Sequence, residues 1–135
     1  MASIHRETII DVPAAQLWDA LRDIGALPTR LVKGFVTECR LEGDDARIVT
    51  FANGVVAREL IVDVGEAEQR LVWSAAGGRL THHNASAQVF AEGPSRCRVV
   101  WIADLLPHAM APAIAGMIEQ GLAAMKATLE EAASA

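Results

Sequence analysis

"MAPAIAGMIEQGLAAMKATLEEAASA", residues 110 to 135, decides the fold. Met110, Ile114, Met117 or Ile118, Gly121, Met125 and Leu129 recur at the three-and-four spacing that brings side chains onto one helix face. One long amphipathic helix is therefore expected, from about Met110 to Glu131. Around that face lie Ala113, Ala115, Gly116, Gly121, Ala123 and Ala124. Residues this small let a packed surface leave volume against the helix.

The surface that packs there comes from residues 33 to 106, where runs of strand-forming residues alternate with turn chemistry. They read "GFVTECRLEG", "ARIVTFA" ending at Asn53-Gly54, "VVARELIVDV", "RLVWSAA" ending at Gly77-Gly78, "LTHHNASAQVFA" ending at Gly93-Pro94, and "RCRVVWIADLL". Asn-Gly and Gly-Gly are two-residue hairpin signals, so consecutive strands should pair as an antiparallel meander. Ahead of them "SIHRETIID" (3–11) alternates as a first strand. "VPAAQLWDALRDI" (12–24) switches to helical spacing with Pro13 as its start signal, and "ALPTRLV" supplies a short second helical turn. The order is β-α-α-β6-α, an α+β class. A seven-stranded antiparallel sheet must bury one face, and the C-terminal helix is the one large apolar partner on offer, so the sheet curls around it. One domain, 1–135, fits the length.

Composition narrows the class. With 52% apolar and 21% charged residues the chain is globular, and its apolar runs are too short to span a bilayer. A net charge of −5 with twelve scattered Lys and Arg argues against a nucleic-acid partner. The opening "MASIHRETIID" has no basic segment followed by an apolar one, so a cytoplasmic location is expected. Cys39 and Cys97 lack metal-ligand spacing and read as small buried thiols. Asn84-Ala85-Ser86 fits a glycosylation pattern without the secretory context that would give it meaning.

The element order, with "VPAAQLWDAL" near the start, an acidic turn within "ARELIVDVGEAEQRLVW", "RVVWIADLLP" as last strand and "GLAAMKATLE" near the end, resembles the START-like superfamily. Within it the chain is most similar to bacterial SRPBCC proteins of the polyketide cyclase/dehydrase type. The resemblance covers nearly the whole chain and implies a Bet v 1-like helix-grip fold around a hydrophobic cavity. That family includes lipid and steroid carriers, hormone receptors and cyclases, so the fold does not choose among activities.

Strand parity assigns the candidate lining. Successive side chains point to opposite faces, so His82 and His83 cannot share one metal, and no metal or cofactor site is expected. One face of "THHNASAQVF" holds Thr81, His83, Ala85, Ala87 and Val89; the other holds His82, Asn84, Ser86 and Gln88. Thr81 and His83 are placed inside, His82 outside. His83 is then either a core histidine satisfied by a hydrogen bond or a ligand-binding group. Trp73 shares a face with Leu71 and Ala75, and Trp101 with Val99, Ala103 and Leu105, so both indoles look toward the helix. Arg58, in step with Val56, Leu60, Val62 and Val64, is placed inward, where its charge needs an acidic ligand or a carboxylate; Glu59 and Asp63 then face solvent. Trp18 reads as core, and Asp104 as a local cap or pair.

These residues support a protein that binds a small hydrophobic or aromatic ligand in a cavity lined by Arg58, Trp73, Thr81, His83 and Trp101, with Ile114, Met117 and Met125 from the helix. The alternatives are a cyclase/dehydrase-like enzyme with His83 as general base and Arg58 polarising a carbonyl, and a dimeric interaction module without ligand. Few polar residues point inward and tyrosine is absent, which favours binding.

Overall fold

The computed structural model describes residues 2 to 134. Strand β1 (Ala2–Ile10) leads into helix α1 (Ala14–Arg22) and a single π-type turn at Leu27–Leu31. Six strands follow: β2 (Val36–Glu42), β3 (Ala46–Phe51), β4 (Val56–Gly65), β5 (Arg70–Ser74), β6 (His82–Ala91) and β7 (Cys97–Leu106). A 3-10 turn at His108–Met110 then opens the long helix α2 (Ala111–Ser134). All neighbouring strands are antiparallel in one sheet ordered β1-β7-β6-β5-β4-β3-β2. The helix-grip α+β fold expected from the sequence is what forms.

Pro13, with φ −58°, precedes α1, which buries Leu17, Trp18, Ala20 and Leu21. Trp18 is core, as expected, and its indole N–H points at Glu66 Oε2 from 3.5 Å. The two hairpin signals need correction. Phe51 N–H donates to Val55 O at 2.8 Å, so Ala52, Asn53 and Gly54 make a three-residue loop, with Gly54 at φ +89°, a left-handed conformation that glycine adopts without strain. Beyond β5 the tight turn is Gly78-Arg79, closed by mutual Gly77–Leu80 bonds of 2.8 and 2.9 Å. It sits inside a longer connection, residues 75–81.

Helix α2 lays Ile114, Ile118, Leu122, Met125 and Leu129 against the sheet. Its two glycines differ. A Cβ on Gly121 would stand 2.7 Å from Trp101 Cζ3 and 3.2 Å from Phe35, whereas one on Gly116 meets nothing within 4 Å. Gly116→Ala should therefore stabilise by ~0.5–1 kcal/mol through helix propensity. Gly121→Ala should destabilise, because overpacking costs about 1–3 kcal/mol and outweighs that gain. Urea denaturation of the two variants reads the opposite signs directly.

Cys39 and Cys97 are free thiols whose Sγ atoms lie 3.6 and 3.7 Å from the Ile24 and Ile10 carbonyls. Burial pushes the Cys97 thiol up to about 11. Among the described residues no helix is long and apolar enough to cross a membrane.

Candidate functional site

Between α2 and the concave face of the sheet lies a cavity of about 1180 Å³. Ligand pockets commonly measure roughly 300–1,000 Å³, so this one is large. The π-type turn, the β3–β4 loop, the 75–81 connection and the first turns of α2 surround it. Its volume follows from the sequence: the helix offers Ala113 and Gly116 to this end, and β6 offers Ala87, where larger residues would fill the space.

Trp73 and Trp101 line the cavity edge to face, with centroids 5.7 Å apart and planes at 64°. Ile114, Met117 and Met125 line it from α2, as the helical spacing anticipated. His83 is buried and lines the same space, while His82 is exposed.

Two anticipated lining residues depart from the expectation, Thr81 by lying outside the cavity and Arg58 by turning its charge away from it. Thr81 is exposed, because β6 starts at His82 and Thr81 belongs to the bend before it, its N–H donating to Leu106 O at 2.9 Å. Arg58 borders the cavity, but its guanidinium lies on the exposed side of β4, 2.7 Å from exposed Glu42. Its apolar companions Val56, Leu60 and Val62 are exposed with it. Alternation on β4 therefore runs opposite to the expectation, up to a bulge between Ile61 and Asp63.

The inward place is taken by Glu59, which had been assigned to solvent. It is buried against Arg47, a residue the sequence reading did not single out. Arg47 Nε donates to Glu59 Oε1 at 2.8 Å, with side-chain exposures of only 3% and 10%. Arg47 also donates through Nη1 to Ile24 O at 3.1 Å, and its guanidinium stands 5.9 Å from the Trp73 ring centre. Asp104, expected to cap or pair locally, instead accepts across the sheet from Ser3 Oγ on β1 at 2.6 Å.

Among the described residues, His83 Nδ1 is fully enclosed without a hydrogen-bond partner. Burial, with a smaller contribution from His82, pulls its pKa below the ordinary 6.5. The folded state thus binds fewer protons at this site than the unfolded state does. Stability due to His83 is complete above about 6.5 and is lost as pH falls from there toward the lower folded value. His83→Phe should flatten the slope of unfolding free energy against pH between 7 and 5, measured by urea melts; an unchanged slope would assign it to other groups. No set of three metal-ligating side chains comes together among the described residues.

Residues 1–130 match the family model described as polyketide cyclase/dehydrase and lipid transport. No curated protein matches the sequence. Among solved structures, XoxI from Bacillus cereus is similar with a TM-score of 0.85 at 20% identity, covering 98% of this chain and 99% of that one. A START superfamily protein from Mycobacterium smegmatis is similar at 0.75 and 11%, covering 99% and 98%. Norcoclaurine synthase from Thalictrum flavum, in complex with dopamine and hydroxybenzaldehyde, is similar at 0.72 and 18%, covering 98% and 86%. At these identities the likeness is one of fold.

Proposed function

This chain belongs to the polyketide cyclase/dehydrase and lipid transport family, and from that premise we propose that it is a single-domain cytoplasmic protein that takes up a small aromatic or apolar ligand. The observation that carries the reading is the cavity of about 1180 Å³ with two indoles and three methionines in its wall. Leaving that much apolar surface unfilled forgoes packing energy, and a ligand restores it. That norcoclaurine synthase, on the same fold, holds aromatic molecules supports the choice of ligand class. Native mass spectrometry of the purified protein tests it, together with titration of anilinonaphthalene sulfonate into emptied protein. A co-purifying small molecule, or saturable one-to-one binding of the dye, is expected; the absence of both overturns the reading.

A second reading, an enzyme of the cyclase or dehydrase kind, is favoured by one observation. Burial at the cavity wall favours the neutral imidazole of His83, and a general base requires that state with the lone pair on the nitrogen that meets the cavity. In that case Arg47, and not Arg58, is the cation available to polarise a carbonyl. The ligand-free interaction module called for a filled interior, and the cavity argues against it. Exposed Val56, Leu60 and Val62 leave a homodimer to be sought by sedimentation.

A further inference from the structure

The sheet register aligns the cavity's polar groups. Arg47 pairs with Glu59 across β3 and β4; Leu60 pairs with Ser74, which brings Glu59 level with Ala75; Ser74 pairs with Asn84, which brings Ala75 level with His83. Arg47, Glu59, Ala75 and His83 therefore form one row across the inner face, and all four line the cavity. Strands are spaced about 4.8 Å apart, so the Glu59 and His83 backbones stand roughly 10 Å apart with only the Ala75 methyl between them.

Both ends of this gap have unused hydrogen-bonding capacity. Arg47 spends Nε on Glu59 Oε1 and Nη1 on Ile24 O, leaving Nη2 and Glu59 Oε2 without partners among the described residues. Neither imidazole nitrogen of His83 has a partner there, and Nδ1 is the enclosed one, which leaves Nε2 to meet the cavity. An orphaned buried N–H is rarer and costlier than an orphaned lone pair, so the proton of the neutral ring belongs on Nε2. The His83 end offers a donor and the Glu59 end an acceptor.

Resting on the ligand-binding reading above, we propose that the ligand is a neutral hydroxylated aromatic whose hydroxyl sits over Ala75, accepting from His83 Nε2–H and donating to Glu59 Oε2. A hydroxyl is the smallest group that does both. An ether or carbonyl can only accept and leaves the carboxylate unanswered. A carboxylate brings a second negative charge beside Glu59, whose own charge Arg47 already offsets. The ring then lies toward Trp73 and Trp101.

The test uses four probes of one shape, naphthalene, naphthol, methoxynaphthalene and naphthoate, titrated against indole fluorescence in the emptied full-length protein. Naphthol should bind roughly tenfold tighter than naphthalene or methoxynaphthalene, the worth of a hydrogen bond to a charged partner. In His83→Phe, and separately in Ala75→Val, which fills the gap, the ratio of naphthol to naphthalene affinity should shrink to about threefold or less. Ala75→Val keeps the test decisive if His83→Phe does not fold. Naphthol no tighter than naphthalene, an advantage that survives both substitutions, or naphthoate as the tightest probe would each overturn the hydroxyl assignment while leaving the ligand-binding reading standing. Failure of all four probes to bind would remove both.

Discussion

Arg47→Met is expected to destabilise the fold by about 3–5 kcal/mol, because it strands the Glu59 carboxylate in the interior without its counter-charge. The pair is 2.8 Å apart and almost wholly shielded from water. The double variant Arg47→Met with Glu59→Leu should recover most of the loss, since replacing both partners by apolar groups of similar size removes the desolvation cost along with the attraction. Arg58 supplies the control. It contacts Glu42 at 2.7 Å, a distance as good as that of the buried pair, but with 53% and 48% of the two side chains exposed. Arg58→Met should therefore cost no more than about 1 kcal/mol. Burial, and not distance, separates the two ion pairs. Urea denaturation of the parent, Arg47→Met, Glu59→Leu and the double variant gives the coupling energy, with Arg58→Met alongside; an Arg47→Met loss within about 1 kcal/mol would mean that water reaches Glu59 through the cavity and that the pair is not an interior one.

That pair also shows where the sequence could be read and where it could not. Helix α2, the meander order and the inward faces of β5, β6 and β7 were legible because in each the apolar residues line up with the strand or helix period. On β4 the apolar alternation of Val56, Leu60 and Val62 pointed inward, yet these residues are exposed and Ala57, Glu59 and Ile61 take the inner positions. Hydrophobic alternation fails here because the inner face borders a cavity and not a packed core, so nothing requires its large apolar residues to be inside. A better signal was present in the β3–β4 hairpin. Centred on Asn53, with a three-residue loop, it sets Arg47 directly opposite Glu59; read as a two-residue Asn53-Gly54 turn, it sets Arg47 opposite Leu60. One residue of loop length hid two opposite charges facing each other. Thr81 was misplaced for a related reason, because the tight turn at Gly78-Arg79 closes short of the strand and frees residues 76–81 from strict alternation.

His83→Asp against His82→Asp is the sharpest contrast available on β6, since the two positions are adjacent in sequence and opposite in environment. His83 is 6% exposed and stands across from Leu105, itself buried, while His82 is exposed at the strand's first residue. An aspartate at 83 would place a carboxylate in the row that already holds Glu59, with Arg47 committed to that glutamate. It must either ionise beside a like charge or take up a proton. The cost is on the order of 3–4 kcal/mol at pH 8, whereas His82→Asp should stay within about 0.5 kcal/mol. For a chain of this length the melting temperatures should differ by roughly 10 °C. His83→Phe, which keeps a ring of similar size and drops both nitrogens, including the unpartnered Nδ1, should melt at or above the parent temperature. The pattern therefore separates a penalty for buried charge from a penalty for any change at the site. If His82→Asp proves the damaging substitution, the register of β6 is shifted by one residue, and with it the alignment of Ala75 and His83 on which the polar row depends.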